Sequence, residues 1–425
     1  PAIKFNNYQT DYSSVKNLRV THSSNISSYS SEAGAIYSYY SDYLTIQNVH
    51  FYNTYIGFKS YQANNNHIHN STFDRGTVTS HYSGIYIYGG YKYNIRDNEI
   101  TKFAYGIYQY LDNYGSHYYN NYIHNNTSFG IYMQQSAYSY YTATDPIKYV
   151  NNRLVDNGYA FYRGDSNSNY GQDLYFKDNL IKSSTNYGLY CYYYCYDAYI
   201  ENNTFEGDDD TTYGLYWRTG YRSEFGNNTF SNHISSDMYM NSCGTGTNSN
   251  KFFDNTYSSI SVTSGCQVNI YHNLNVKTVE EDSDPFANVE IEIKDSSNTF
   301  YETSHWGGSD ALTDSNGFIS SSMLIRSGYY SSSSTLTDNN ITINLAYGVR
   351  AKSTWIEFDE DTTKSVTVPD EFRYGVVKNT NTSTIYTSFS SAISAASTNN
   401  VLNVWAWTYN ENVVVNKGVT LIGNS

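Results

Sequence analysis

Apolar positions along most of the chain recur in a short phrase. An Asn is followed one or two residues later by an apolar residue, and a Gly-apolar-Tyr group comes after it. Two copies are Asn98-Glu-Ile100 with Gly106-Ile-Tyr108, and Asn121-Tyr-Ile123 with Gly130-Ile-Tyr132. Within each segment, apolar residues suited to a core occupy every second position. This period of two predicts short β-strands with one buried face.

The Asn of this phrase recurs at a regular interval, and successive positions are 22, 28, 23, 31, 27, 24, 25 and 27 residues apart. One coil of a parallel β-helix needs about this length, because three strands must each stack on their copies roughly 4.8 Å away. Asn tolerates the left-handed conformation at a corner and hydrogen-bonds along a stack. The positions are Asn48, Asn70, Asn98, Asn121, Asn152, Asn179, Asn203, Asn228 and Asn255.

The interval therefore predicts a parallel β-helix whose longer coils carry loops at 133–148 and 206–212. A leucine-rich repeat has a similar period but requires Leu at several fixed positions, and Leu is rare here. Residues 15–270 resemble the parallel β-helix repeats of periplasmic and cell-surface proteins, including archaeal S-layer-type proteins. This resemblance implies a right-handed helix over 1–270. It does not select a function, since such repeats occur in lyases, epimerases, adhesins and surface layers.

Near Gln267 the pattern changes to short alternating segments separated by Asp, Asn and Gly turns. These segments predict a small antiparallel β-sandwich over 271–370. The turn Thr313-Asp-Ser-Asn-Gly317 resembles those of Ig-like and carboxypeptidase-regulatory-like modules of prokaryotic surface proteins, which usually act as spacers. The alternating segments are 274–279, 288–293, 341–345 and 365–368.

The last part, 371–425, returns to β-helix spacing. Residues 387–396 have a Thr/Ser start and apolar spacing that predict a short helix. Apolar segments follow at 401–404, 413–415 and 418–423. This order closely resembles the first coil of pectin-lyase-like β-helices, in which a helix caps the solenoid. The usual Pro-Gly-Asp of that family is replaced here by Thr398-Asn-Asn400.

The opening of a β-helix thus stands at the C-terminal end, whereas Pro1–Phe5 begins in mid-coil. Two geometries use this order. Residues 387–425 either cap the coil that starts at Pro1 of the same chain, or start a solenoid that the next copy continues. The second geometry, which we favour, gives a contact that does not close and hence a filament. One period of a longer tandem polypeptide and a truncated chain are the alternatives.

Composition narrows the function classes. The 425 residues contain 51 Tyr, 25 Lys and Arg, and 39 Asp and Glu, for a formal net charge of −14. This balance disfavours nucleic-acid binding, which needs a basic surface, and no apolar run is long enough to span a bilayer. Tyr is favoured in strands and at interfaces and also stacks on sugars, so core stacking, subunit contact and sugar binding all stay open.

The four cysteines are Cys191, Cys195, Cys243 and Cys266. An even number without a CxxC motif predicts two disulfides in an oxidising, extracellular compartment, with four free thiols as the alternative. Cys243 and Cys266 are 23 residues apart, which is one coil, so we expect them to lie one above the other and pair. We expect Cys191 and Cys195 to close a corner loop.

Other candidate sites carry weaker signals. The acidic run Asp208, Asp209 and Asp210 predicts a Ca²⁺ ligand set, with a solvated loop as the alternative. Eight glycosylation sequons occur in a chain so rich in Asn, Ser and Thr that chance alone produces a similar number. The sequon asparagines are Asn25, Asn70, Asn125, Asn126, Asn202, Asn227, Asn340 and Asn381.

No complete catalytic motif is present. Glu206 and the following aspartates faintly resemble the Asp pair of polygalacturonases, but the companion Gly-His-Gly and Arg-Ile-Lys motifs are missing. Asp145-Pro-Ile147 lacks the His of the Asp-Pro-His motif of mannuronan epimerases. His67 and His69, with His50 as a third ligand, form a zinc candidate whose alternative is ordinary surface histidines.

The sequence therefore predicts an all-β extracellular structural protein and no enzyme. Its partner is expected to be the same protein, joined head to tail into a filament, sheath or surface layer. No cofactor is expected, and structural Ca²⁺ at 208–210 is the alternative. The alternative function is a carbohydrate-binding or carbohydrate-active β-helix of the lyase or epimerase type, acting on an extracellular polysaccharide. An acid, a base and a cation clustered on one face favour that alternative.

Overall fold

The computed structural model forms two compact units, Pro1–Ile270 with Tyr329–Thr337, and Tyr271–Gly328 with Asp338–Ser425. Within the described residues, β-strands dominate, and one α-helix and two 3-10 turns (Gly246–Asn248 and Ser304–Trp306) complete the elements. The residues that the structure describes are 2–6, 11–21, 34–76, 82–111, 114–134, 146–164, 174–193, 195–208, 210–263, 265–332, 335–348, 350–369, 372 and 376–424.

The first unit is a parallel β-helix with three strand series per coil. One series, called sheet A, has eleven strands in the described residues, each paired in parallel with its copy in the next coil. They are β1 (Ile3–Asn6), β3 (Ile36–Tyr39), β5 (Ile56–Tyr61), β8 (Ser83–Tyr88), β11 (Tyr105–Tyr110), β14 (Phe129–Gln134), β17 (Tyr159–Gly164), β20 (Tyr187–Tyr193), β23 (Tyr213–Arg218), β26 (Ser236–Asn241) and β28 (Ile260–Val262).

The other two series, B1 and B2, meet at a corner within each coil. In the first two coils one long strand spans both series: β2 (Ser14–Thr21) and β4 (Thr45–Tyr52). The B1 strands are β6 (His67–His69), β9 (Asn94–Arg96), β12 (His117–Tyr119), β15 (Ile147–Val150), β18 (Leu174–Lys177), β21 (Tyr199–Glu201), β24 (Glu224–Gly226) and β27 (Asn250–Phe253). The B2 strands are β7 (Thr72–Asp74), β10 (Glu99–Thr101), β13 (Tyr122–His124), β16 (Arg153–Val155), β19 (Leu180–Lys182), β22 (Thr204–Glu206) and β25 (Thr229–Ser231).

Inward side chains stack in columns along the axis. Phe51 and Phe73 lie in register on successive coils, with ring centroids 4.4 Å apart, and both are fully buried. Each such side chain contributes roughly 1.5–3 kcal/mol by leaving water. The predicted long loop at 133–148 falls mostly on 135–145, outside the described residues.

The B1–B2 corner is a pair of residues with different roles. The first has a left-handed backbone, as at Asn120 (φ 54°). The second, such as Asn121, is buried and bonds its copies above and below. Its Oδ1 accepts from the backbone N (3.2 Å) and Nδ2 (3.0 Å) of Asn98, and its Nδ2 donates to Ile95 O at 2.9 Å. The buried ladder runs on through Asn152, Asn179, Asn203, Asn228 and Asn255.

Two of the predicted ladder positions have the other role. Asn48 and Asn70 carry the left-handed backbone, with φ of 55° and 50°. Ser71 takes the ladder position after Asn70, and its hydroxyl accepts from the backbone N of Val49 at 3.1 Å. The spacing therefore located the corner correctly but missed the register by one residue in these two coils.

The second unit contains a β-sandwich. β30 (Glu290–Lys294) pairs antiparallel with β31 (Thr299–Glu302) and β34 (Ile341–Tyr347), and β34 pairs with β35 (Arg350–Ile356). β36 (Thr362–Thr367) pairs in parallel with residues 274–279 of β29 (Gln267–Val279), which alternation alone did not predict. β32 (Met323–Ser331) and β33 (Leu336–Asp338) are divided between the two units, because Tyr329–Thr337 belongs to the first. The buried faces of β30 and β34 contribute Ile291, Ile293, Ile343 and Leu345.

Residues 376–424 form a capped coil. Its strands are β37 (Val377–Asn379), β38 (Thr384–Tyr386), β39 (Val401–Trp405) and β40 (Thr420–Asn424), and its helix is α1 (Phe389–Ala395). β39 and β40 are parallel and in register from Val401 opposite Thr420 onward, one coil apart. Ser388 caps α1, since its Oγ accepts from Ser391 N at 3.1 Å. The predicted short helix is thus present.

Candidate functional site: the open coil edges

Two charged side chains hold α1 against the C-terminal coil. The carboxylate of Glu411 accepts from the backbone N of Phe389 (2.7 Å) and Ser390 (3.0 Å) at the start of the helix. Lys417 Nζ donates to the carbonyls of Ser394 (2.6 Å) and Ala396 (2.8 Å) at its end. The negative carboxylate lies at the positive end of the helix dipole, and the positive ammonium lies at its negative end. Both interactions therefore stabilise the contact of α1 with the coil. Hydrogen bonds from Ser390, and then from Phe389, hold the pKa of Glu411 below its usual value.

Tyr409 joins the same parts from the other side. Its ring packs edge-on against Phe389 with centroids 4.7 Å apart. Its hydroxyl donates to Trp405 O at 2.9 Å and contacts Val376 O at 3.1 Å. The helix, β39 and the connection to β40 are therefore one packed piece that presents β40 in a defined position.

The outer edge of β40 is apolar and open. Among the described strands its partner is β39. Leu421 and Ile422 are 43% and 44% exposed, and Val414 is 72% exposed. The predicted coil segment Val413–Val415 forms no strand. A strand of a β-helix needs a neighbouring copy to satisfy its main chain, and the described residues place none on the outer side of β40.

The first coil of the β-helix has a corresponding open edge. Among the described strands, β1 pairs with β3 and β2 pairs with β4. Leu18 stands opposite Val49, which is fully buried, yet Leu18 is 47% exposed. The side chain occupies an inward column that nothing in the described residues covers. Ile3 and Phe5 on β1 are only half-buried.

The tyrosines of sheet A stack on one another along its outer face. Centroids of successive rings in the main column are 4.6–5.2 Å apart. Both faces of an inner ring are therefore covered by its neighbours, and only edges and hydroxyls reach solvent. Burial raises the pKa of Tyr162 to about 12. This geometry favours structural stacking over sugar binding by ring faces. The column consists of Tyr86, Tyr108, Tyr132, Tyr162, Tyr190, Tyr216 and Tyr239.

Both predicted disulfides are present. Cys243 and Cys266 lie on neighbouring coils with Cα atoms 4.4 Å apart, and Cys191 pairs with Cys195 at 6.4 Å. All four side chains are fully buried. One bond therefore ties two coils together, and the other closes a loop within one coil.

The acidic loop candidate is arranged around its own backbone. Asp208 Oδ1 accepts from Asp210 N (3.1 Å) and from the N (3.2 Å) and Oγ1 (3.1 Å) of Thr211. Asp210 is exposed, and Asp209 lies outside the described residues. Glu206 pairs with Lys182 at 2.7 Å. The described part of the chain brings together no group of three His, Cys, Asp or Glu side chains fit for a metal ion. Calcium binding here stays a prediction.

The three histidines considered for a zinc site do not come together in the structure. His67 and His69 lie on β6, in series B1, opposite Thr45 and Gln47. His50 lies opposite Thr72 in series B2, beyond the corner. The three side chains are therefore not gathered, because the corner between residues 47 and 50 divides the strand into two faces.

The sequon residues fall into three groups. Asn126 is 1% exposed, and its Nδ2 donates to Asn157 Oδ1 at 2.9 Å within a second buried ladder. The folded chain does not present this nitrogen to a glycosylating enzyme, so the prediction of Asn126 as a glycosylation site is wrong. Asn25 lies outside the described residues. The exposed candidates are Asn70, Asn125, Asn202, Asn227, Asn340 and Asn381.

Sequence reasoning missed one buried contact between a histidine and a carboxylate. His233 Nδ1 lies 2.7 Å from Asp237 Oδ1, and both side chains are almost fully buried. Asp237 Oδ2 also accepts from Ser258 N (2.6 Å) and Oγ (2.8 Å). Burial by itself raises the pKa of Asp237, but the bonds from His233 and Ser258 outweigh it and lower the pKa to about 2. The sequence around His233 and Asp237 gives no signal for this contact, because Ser258, which also donates to Asp237, comes from the next coil.

An acid, a base and a cation also lie along the outer face of series B2 on successive coils. His124 Nε2 lies 3.2 Å from Glu99 Oε1, and the His124 ring stacks on Tyr122 at 4.1 Å. The Arg153 guanidinium lies 5.2 Å from the Tyr122 ring centroid. The parallel register places Glu99, Tyr122 and Arg153 on successive coils. The spacing of the Asn phrase did not single out these outward positions.

The match to a protein family agrees with this architecture. Residues 6–171 match the family described as the right handed beta helix region, and the first unit is accordingly a right-handed parallel β-helix. No curated protein matches the chain. Among solved structures, the chain is similar to the Dettilon tailspike protein gp208, with 13% identity and a TM-score of 0.33 over 79% of this chain and 60% of that one. In the described residues no helix has the length and apolarity to cross a membrane.

Proposed function

We propose that this protein is an extracellular structural protein whose copies join end to end through their open coil edges. The observation that carries the proposal is the exposure of inward-type side chains at both edges, Leu421 on β40 and Leu18 on β2. An unpaired strand edge also presents main-chain N–H and C=O groups that another strand can satisfy. The two disulfides support an oxidising compartment.

The two edges are complementary in direction. Along the β-helix, main-chain N–H groups bond to carbonyls of both neighbouring coils, as from Ala35 N to Ile56 O and from His67 N to Leu44 O, each at 2.8 Å, so each open edge presents donors and acceptors. β40 is the later strand of its parallel pair, and β1 and β2 are the first strands of theirs. A copy that continues β40 with its own β2 therefore extends the same stacking. Because the two edges differ, the contact is heterologous and repeats without closing, which gives a filament.

Point variants test the proposal. Leu18→Asp blocks the first edge and Leu421→Asp blocks the last, because each places a charge in the inward column where the neighbouring coil must pack. We expect each variant alone to be monomeric by light scattering, whereas the unchanged protein forms filaments by electron microscopy. Leu312→Asp is a matched control, since Leu312 is also an exposed leucine but belongs to neither edge strand.

Mixing the two blocked variants separates heterologous from self-complementary contact. Each retains one competent edge, so an equimolar mixture should form dimers and nothing larger. Filaments from either variant alone, or an unchanged protein that stays monomeric at high concentration, contradict the proposal.

A second candidate is a carbohydrate-active β-helix, favoured by the Glu99, His124 and Arg153 cluster. A cation neutralises a sugar carboxylate, while a base and an acid move the protons of an elimination or epimerisation. Release of unsaturated products from uronic-acid polysaccharides, followed by ultraviolet absorbance, tests this function. Loss of that activity in Glu99→Gln and His124→Ala, with retention in Arg222→Gln, supports it. If the unchanged protein releases no unsaturated product, this second candidate function is excluded.

A further inference from the structure

A cation–aromatic cluster lies at the end of strands β20 and β23. The guanidinium carbon of Arg218 lies 4.8 Å from the ring centroid of Tyr192 and 5.2 Å from that of Tyr193. The two rings meet edge to face with centroids 4.1 Å apart. The three side chains come from neighbouring coils of sheet A and are all half-exposed.

The disulfide holds this cluster in place. Tyr192 and Tyr193 lie inside the short loop that Cys191 and Cys195 close, and both sulfur atoms are fully buried. Cys191 Sγ also lies 3.8 Å from the carbonyl oxygen of Arg218. The tyrosine pair and the arginine are therefore positioned by covalent and main-chain contacts before any ligand arrives. Such preorganisation reduces the entropy lost on binding.

Arg218 differs from a neighbouring arginine in its partners. Arg222 also lies over a tyrosine, 5.8 Å from the Tyr196 centroid, and it donates to both carboxylate oxygens of Asp197 at 2.8 and 2.6 Å. Among the described residues, no carboxylate forms an ion pair with Arg218. The Tyr193 hydroxyl and the Arg218 guanidinium lower the pKa of Tyr192, so the cluster already stabilises negative charge on oxygen.

We infer that Arg218, Tyr192 and Tyr193 form a binding site for the oxyanion of an acidic sugar, a carboxylate or a sulfate. The Arg218 guanidinium donates one hydrogen bond to the Tyr192 hydroxyl, and its five N–H groups leave others for an oxyanion, which a guanidinium matches with two parallel hydrogen bonds. The phenol hydroxyls then bond to neighbouring sugar hydroxyls. The net charge of −14 opposes a polyanion only weakly at physiological salt, where the Debye length is about 8 Å. The site is independent of the coil edges.

Calorimetric titration tests this site with four probes: an oligogalacturonate, a sulfated oligosaccharide of similar length, a neutral oligogalactoside and sodium sulfate. We expect the unchanged protein to bind one of the acidic oligosaccharides and to show no binding of the neutral one. Binding of the uronate or the sulfated probe identifies which oxyanion is preferred. Binding of sodium sulfate as tight as that of the oligosaccharides overturns the assignment to a sugar.

The variants separate this site from general charge attraction. Arg218→Gln should weaken binding about tenfold or more, as expected for lost charge-assisted hydrogen bonds. Arg222→Gln removes the same charge nearby and should bind as the unchanged protein does. Tyr192→Phe should weaken binding less than Arg218→Gln. Equal loss in both arginine variants, no loss in Arg218→Gln, or no binding by the unchanged protein overturns the proposal. Circular dichroism verifies that each variant is folded.

Discussion

Leu402 and Leu421 stand directly opposite each other on β39 and β40, yet Leu402 is fully buried and Leu421 is 43% exposed. The two leucines occupy the same inward column one coil apart. The difference arises because α1 and β37 cover Leu402 on one side and β40 covers it on the other, whereas the described residues place nothing beyond Leu421. The pair thus separates the part of the capped coil that stabilises the monomer from the part available to another copy.

This difference predicts opposite phenotypes for the same substitution. Leu402→Ala should lower the free energy of unfolding by about 2–5 kcal/mol, because it leaves a cavity in a packed core. Leu421→Ala should leave the unfolding of the monomer nearly unchanged and weaken filament formation. Thermal unfolding followed by light scattering distinguishes the two effects, and a large loss of monomer stability in Leu421→Ala contradicts the exposed placement.

The buried asparagine ladder should be sensitive to truncation. Asn152 accepts from the N (3.0 Å) and Nδ2 (2.9 Å) of Asn121, so Asn152→Ala leaves buried donors unsatisfied. We expect a loss of about 1–3 kcal/mol or more, since each orphaned buried group costs roughly that amount. Asn151→Gly is the control, because Asn151 is exposed and its φ of 53° suits glycine. Urea unfolding of both variants measures the difference, and equal effects contradict a special role for the ladder.

The His233–Asp237 pair predicts acid sensitivity. The pKa of Asp237 falls from 3.8 to about 2 in the folded chain. The unfolded chain therefore binds the proton more readily, and the stabilisation is complete above about pH 4 and is lost as the pH falls through about 2. The loss should be about 2 kcal/mol, at 1.36 kcal/mol per pKa unit. Urea unfolding at several pH values measures it. Asp237→Asn should remove this part of the pH dependence, and an unchanged slope in that variant contradicts the assignment.

The disulfide between coils should contribute more stability than the loop disulfide. Cys243 and Cys266 are 23 positions apart in the sequence, whereas Cys191 and Cys195 are four positions apart. In the chain-entropy description, longer loops give larger stabilisation, of about 2–4 kcal/mol in typical cases. The double variants Cys243→Ser/Cys266→Ser and Cys191→Ser/Cys195→Ser should therefore differ in melting temperature. Mass spectrometry of unreduced peptides verifies the pairing, and a free thiol at Cys243 contradicts it.

Metal removal should leave the fold unchanged. Asp208 already accepts hydrogen bonds from Asp210 and Thr211 in its own turn. We therefore expect the same melting temperature with and without a calcium chelator. A clear decrease with the chelator, reversed by added Ca²⁺, shows instead that the acidic loop or another site holds a structural cation.

Much of the architecture follows from the sequence alone. The interval between Asn positions predicted the coils, and the spacing of Cys243 and Cys266 predicted a bond between neighbouring coils. The apolar spacing of residues 387–396 predicted α1. These features depend on local periodicity, because each coil contacts mainly the coil before and the coil after it. The same local pattern predicted the sandwich segments in the second unit.

The tertiary structure decided what depends on register and on partners distant in sequence. It placed Ser71 rather than Asn70 in the ladder, buried Asn126, separated His50 from His67, and paired His233 with Asp237. A shift of one residue exchanges the inside and outside of a strand, and a periodic sequence rich in Asn and Tyr tolerates either register locally. Only stacking against the neighbouring coils selects one, and the same stacking determines that Leu402 is buried while Leu421 remains exposed.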